Sequence, residues 1–138
     1  MTEIVRFGVS VERGLLDKFD RLIRKSGCGN RSKALADIVR EKIIARDWTG
    51  RKEVVGTITM VYYHHQRELT EKLTDIQHHY RREILSSQHI HLDHCNCLEV
   101  VVVKGLPAKV RGLADRLKAL RGVKHLQLTM SSTGKALE

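Results

Sequence analysis

Residues 97–130 read "CLEVVVVKGLPAKVRGLADRLKALRGVKHLQLTM". The first nine of these, to Gly105, read as a strand. Pro107 then opens a helix near its first turn and Gly122 closes it, with Val110, Leu113, Ala114, Leu117 and Leu120 at inward spacing. "VKHLQLTM" reads as a final strand. Working upstream, "EVVGTITMVYY" (53–63) reads as a strand and "QRELTEKLTDIQHHY" (66–80) as a helix with Leu69, Leu73 and Ile76 inward. "EILSSQHIHLD" (83–93) is a further strand, joined to 97–105 by a tight connection around His94 to Asn96. The order is βαββαβ, which predicts a ferredoxin-like layer of helices on an antiparallel sheet.

Before this unit lies a different pattern. In "IVRFGVSV" (4–11), Val5, Phe7, Val9 and Val11 alternate with Arg6, Gly8 and Ser10, the period of a strand with one buried side. A helix with Leu15, Leu16, Phe19, Leu22 and Ile23 follows and ends near "SGCGN". A second helix starts on Asn30 or Ser32 as cap and carries Leu35, Ile38, Val39 and Ile43 on one stripe. One short strand and two helices bury too little surface to stand alone. The expected solution is a dimer in which two such strands pair antiparallel above four interlocked helices. The domain division expected is therefore 1–47 for the strand-helix-helix unit, 48–52 as linker, 53–132 for the βαββαβ unit and 133–138 as a frayed tail.

The chain of 138 residues suits one ordinary domain or two small ones. Its net charge of +9 suggests a polyanionic partner, but the excess is spread, +4 over 1–47 and +5 over 48–138, so charge alone places no binding surface. Aromatics at 4% argue against stacking platforms for single-stranded nucleic acid. No apolar run approaches the roughly 18 residues of a membrane span, and "MTEIVRFGVSVERG" lacks the apolar region of a signal peptide. A cytoplasmic protein without membrane contact is expected. Three cysteines in such a chain point to metal binding or reactivity more than to disulfides.

Seven of the eight histidines fall between residues 64 and 94. His89 and His91, two apart in a strand, project from one face, and Cys97 returns beside them after the short connection. Two imidazoles and a thiolate form a first shell for a borderline metal such as zinc, copper or nickel. His78 lies two residues beyond Ile76, about 200° around the helix, so as a ligand it serves a neighbouring chain more naturally than its own. Cys95 leaves a Cys-x-Cys pair open. A buried polar strand end is the plain alternative, and Cys97 with His89 or His91 could also serve as nucleophile and base. No oxyanion feature, phosphate loop or carboxylate pair accompanies them, so an enzyme is not expected. His64, His65, His79 and His125 read as surface residues, and Cys28 as a small residue at a helix end.

At the other end, Arg6, Gly8 and Ser10 offer a charge, a gap and a hydroxyl on one exposed face. Two such strands form a ribbon that fits the major groove. Asn30, Arg31 and Ser32 place free backbone amides at a helix N-terminus, suited to a phosphate. A ribbon serving dimerisation alone remains the alternative.

Together, "RFGVSV", "NRSKALADIVREKI", "YYHHQREL", "DIQHH", "HIHLDHCNCLE" and "RGVKHLQL" resemble the nickel-responsive transcriptional regulators, the NikR family, over nearly the whole chain. The specific part is the spacing from His78 by eleven to His89, by two to His91 and by six to Cys97. The resemblance implies an α+β chain: a ribbon-helix-helix domain joined to a regulatory domain of the ACT type, assembled as a homotetramer (a dimer of dimers). It implies Ni(II) held in a square plane by His89, His91 and Cys97 of one chain and His78 of another. It also implies binding to double-stranded operator DNA through Arg6, Gly8 and Ser10, enhanced by nickel, with repression of nickel uptake genes as the outcome. Many relatives have a hydroxyl residue where Gly8 stands, which leaves the operator sequence open. Lys33 stands where some relatives have a glutamate near a secondary cation site, to which Asp37 still corresponds. A metal buffer, or a DNA-binding regulator that senses an amino acid, are the competing readings.

Overall fold

The computed structural model describes residues 3–138. Two helices come first, α1 (Arg13–Ser26) and α2 (Arg31–Asp47). Gly27 ends α1 in the left-handed conformation at φ 70, which a residue without Cβ adopts at no steric cost. Asn30 is the cap of α2, its Oδ1 accepting from the Lys33 amide at 2.8 Å. Residues 4–11, expected as a strand, form no ladder within this chain. The physical reason lies in the pattern itself: a strand is completed only by a partner, and among the described residues no other segment pairs with this one. Its apolar side chains stay bare, Phe7 at 73% exposure, as do Leu22, Ile38 and Val39 on the helices.

The rest of the chain folds as β1 (Val54–Tyr63), α3 (Leu69–His79), β2 (Ile84–His91), β3 (Asn96–Gly105), α4 (Pro107–Lys118) and β4 (Val123–Met130). The four strands form one antiparallel sheet in the order β2-β3-β1-β4. This is the βαββαβ order of the sequence reading, with α3 starting three residues later than expected and α4 ending four residues sooner. In β1 and β3 every second residue is buried: Val54, Ile58, Met60 and Tyr62 on one, Cys97, Glu99, Val101 and Val103 on the other. These face Leu69, Leu73 and Ile76 of α3 and Val110, Leu113, Ala114 and Leu117 of α4, all in one buried cluster. Burial drives the arrangement, since each sheet face or helix stripe must remove its apolar side from water.

Segment 48–52, read as a linker, is irregular, but its Trp48 is 1% exposed and belongs to that same cluster. An indole of this size in a charged, turn-rich stretch can only be sheltered by packing onto the sheet. β2 is the opposite case: all but its first residue are exposed, because it is a sheet edge. Truncating a central core residue tests this packing. Leu117→Ala should lower unfolding free energy by about 2–5 kcal/mol, and Leu85→Ala on the exposed strand by far less, as read from urea denaturation.

Candidate metal centre

The ladder on both sides of β3 builds the centre. Cys97 is paired with His91 across β2 and with Tyr62 across β1, and Glu99 is paired with His89 and Met60 in the next row. Because side chains alternate along a strand, His89, His91, Cys97, Glu99 and Tyr62 all stand on the face that the helices cover. β2 is an exposed edge, so both histidines reach solvent while Cys97, in the interior strand, is fully buried.

Cys97 Sγ lies 3.4 Å from Nδ1 of His91 and 3.5 Å from Nδ1 of His64. The potential ligand atoms of His64, His91 and Cys97 lie within 4.8 Å of one another, the group of three among the described residues that could hold a metal ion. The His89 and His91 rings are 4.9 Å apart between centroids. His89 Nε2 is 3.3 Å from the Tyr62 hydroxyl. Burial, with the charges of Glu99 and Cys97 adding to it, pushes the Tyr62 phenol up to about 12. It therefore keeps its proton at neutral pH and donates to His89 whenever that nitrogen carries none.

His78, near the end of α3, is exposed and lies opposite the buried Ile76. It is not brought to the His64, His91 and Cys97 group within this chain. Its neighbour Gln77 points inward and donates to the buried Glu99 carboxylate at 2.9 Å. Cys95 stands outside the group as well. Asp93 organises the connection between β2 and β3: its Oδ1 accepts from the amides of Cys95 and Asn96, both at 2.8 Å, and from the Asn96 side chain. The Asn96 side chain and those two amides hold the Asp93 carboxyl below the usual carboxylate range.

His64, read from the sequence as a surface residue, is exposed, yet its ring nitrogen lies beside Cys97. The strand register places it there: His64 directly follows the end of β1, whose Tyr62 and Tyr63 oppose Cys97 and Asn96. Its amide donates to the Cys95 carbonyl at 2.6 Å, which ties it to the same turn. His65 bridges instead to the His94 carbonyl at 2.9 Å.

The N-terminal candidates lie apart from this centre. Arg6, Gly8 and Ser10 are exposed on the extended segment, and Ser32 is exposed at the start of α2. Arg31 is engaged with Asp20 through two hydrogen bonds of 2.8 and 2.7 Å. The Asp37 carboxylate is taken by the chain's own cations, Lys33 Nζ at 2.6 Å and Arg40 Nη1 at 3.1 Å.

Donor chemistry at the centre is imidazole nitrogen and thiol sulfur, which suits nickel, copper or zinc over hard cations. Burial pushes the Cys97 thiol up, with Asp93 and Glu99 adding to the shift. The sign follows: the thiol form contributes stability below the ordinary thiol range, and that contribution is lost as pH rises through the raised value. At pH 8, in metal-free protein, iodoacetamide should modify Cys28 and Cys95 well before Cys97. Cys97 labelling, followed by peptide mass spectrometry, should accelerate only at higher pH. Equal rates at all three thiols would contradict a buried, protonated Cys97.

Residues 55–131 match the family model described as the NikR C terminal nickel binding domain. A candidate nickel-responsive regulator of Syntrophus aciditrophicus is 49% identical, covering 98% of this chain and 98% of that protein. Another, from Thermococcus kodakarensis, is 51% identical over 98% of this chain and 99% of its own length. A third, from Pyrococcus furiosus, is 50% identical over 96% of both. Among solved structures, an uncharacterized protein from Thermotoga maritima superposes with a TM-score of 0.53 at 14% identity, covering 57% of this chain and 98% of that one. At that identity the likeness speaks for the fold alone.

Proposed function

The chain belongs to the family of nickel-responsive regulators, and from that premise we propose that it is a DNA-binding transcriptional repressor whose hold on its operator is strengthened by Ni(II). Transcription regulation with nickel as the regulatory ligand is the family's property. The finer reading rests on one observation above all: His91 and Cys97 stand face to face across β2 and β3, with ring nitrogen and sulfur 3.4 Å apart.

The donor set fits nickel. We assign it to His89, His91 and Cys97 of one chain, with His78 of a neighbouring chain as the fourth donor, and His64 stands close enough to Cys97 to take part. Bound there, nickel would supply coordination bonds to these imidazoles and the thiolate, and through His78 it would join one chain to its neighbour. The protein's own residues prepare that link. Cys97 must give up its proton, so loading is coupled to proton release and weakens as pH falls. Tyr62 orients the His89 ring through its hydroxyl. Glu99 and Gln77 tie β3 to the turn of α3 that carries His78.

At the other end, the bare apolar faces of residues 4–11, α1 and α2 support closure by a second copy, with 1–47 acting as the DNA-binding unit and 53–132 as the regulatory and assembly unit. Pairing of the two N-terminal strands leaves Arg6, Gly8 and Ser10 on the outer face of a ribbon. The Asn30 to Ser32 turn then lies where a phosphate would approach. Nickel favours the DNA-competent arrangement only by binding it better than the others. DNA must then raise nickel affinity by the same factor.

Gel-shift titration of operator DNA with and without Ni(II) tests the reading. Affinity should rise with metal, and an unchanged affinity would sink it. Nickel uptake without any specific duplex binding would favour a metal buffer. Arg6→Ala should cost about 1–3 kcal/mol of specific binding, the worth of a good base contact, with nickel loading unchanged. Mixing His78→Ala with Cys97→Ala protein should restore some intact sites, which happens only if the ligands come from different chains.

A further inference from the structure

β4 carries one residue more than its ladder with β1 needs. From Met130 back to His125 the pairing is regular, with Leu128 opposite Ile58, Leu126 opposite Met60 and His125 opposite Val61. The next pair is Val123 with Tyr62, so Lys124 is the extra residue of a bulge. Strict alternation would turn Lys124 toward the helix-covered face and Val123 away from it. With the bulge, Val123 packs against the buried cluster, as do Leu126 and Leu128, and Lys124 stays exposed next to His125. The ammonium then lies 5.7 Å from the centroid of the Tyr63 ring. Because Tyr62 is buried and faces alternate along β1, that ring marks the sheet face opposite the metal centre.

From there Lys124 Nζ donates to Oδ1 of Asn96 at 2.7 Å. Asn96 is the first residue of β3 and pairs with Tyr63. The lysine therefore crosses β1 to reach it, a span of two strand spacings or about 10 Å. An ammonium can only donate, so it selects the oxygen of the Asn96 amide and leaves the NH2 group to face Asp93. Asn96 Nδ2 donates to both Asp93 carboxylate oxygens, at 3.1 and 3.0 Å. Asp93 Oδ1 in turn accepts from the backbone amides of Cys95 and Asn96, both at 2.8 Å. Each group in this relay sets the direction of the next.

The turn held in this way is the short connection between two of the candidate donors. His91 and Cys97 are the last pair of the β2–β3 ladder, so on their outer side the turn alone sets their spacing. The Leu92 amide closes it on the Asn96 carbonyl at 2.9 Å, and Asp93 organises what lies between. Groups one step removed from a metal orient its ligands and contribute to affinity without touching it. We propose that Lys124 is a positioning residue for the metal centre: aimed by the bulge in β4, it locks the turn between His91 and Cys97 through Asn96 and Asp93. It acts from behind the sheet and touches no ligand. Its meaning for nickel rests on the reading of His91 and Cys97 as donors; the lock on the turn does not.

Hydrogen exchange in the metal-free, full-length chain tests the lock. In Lys124→Met, exchange at the Cys95 and Asn96 amides, followed by NMR, should accelerate severalfold. The amide of Val101, paired on both sides, should keep its native rate. Lys124→Arg, whose guanidinium can also donate to Asn96, should restore slow exchange at the turn. Loaded with Ni(II), Lys124→Met should keep the native stoichiometry but lose nickel to EDTA about three to ten times faster, at or below the low end of what such outer groups contribute. In an Asn96→Ala background the same substitution should change neither quantity, because the path from Lys124 to the turn is already cut. Unaltered exchange in Lys124→Met, or an equal effect with and without Asn96, overturns the lock. Faster exchange with native nickel release overturns the positioning role. If Cys97→Ala releases nickel no faster than the native protein, the donor assignment is wrong and the positioning role falls with it, while amide exchange still decides whether Lys124 holds the turn.

Discussion

The two-sided pairing of β3 is the constraint on which the metal centre depends. It is paired along its whole length with β1 and from Cys97 to Val103 with β2. A strand's side chains change face with every residue, so a slip of one position would turn Cys97, Glu99, Val101 and Val103 out of the core together. Burying the two valines therefore fixes where the cysteine points. The cross-strand register then delivers His91 and Tyr62 to it from opposite sides. Core packing and the placement of the candidate ligands are one requirement, met by a single alternation.

That requirement also explains the division of exposure at the centre. The cysteine comes from an interior strand, where burial suppresses its ionisation and keeps it from solvent oxidants. The histidines come from an edge strand, where they can meet a partner. A donor set half in the core and half at an edge is incomplete by construction. The open side of the group lies along β2. His64 reaches Cys97 from the other side, from the residue that follows β1, and His78 on α3 stays exposed.

Much of this was legible in the sequence, for reasons that differ by element. β1, β3, α3 and α4 announce themselves through apolar periods of two and 3.6, because their burial is satisfied within the chain. The alternation in residues 4–11 is equally clean, yet yields no ladder, since a period reports which face seeks burial and not where the partner resides. His64 and Trp48 were out of reach of pattern reading. The first sits just past a strand end, where its direction depends on the register of strands thirty residues on. The second lies in a stretch of charge and turn residues whose local chemistry says linker. Its place in the core depends on a gap left at Gly56 by another strand.

These two residues lie at opposite ends of β1, and that placement gives the strand a role beyond its share of the sheet. Coupling between distant sites requires an element with a limited set of arrangements that both sites bias. β1 is held along its length by β3 and β4, so it cannot bend locally without disturbing a close-packed core. It can only tilt with the sheet. At one end the residues that follow it contribute His64 to the centre; at the other its glycine seats the indole that starts α2's neighbouring turn.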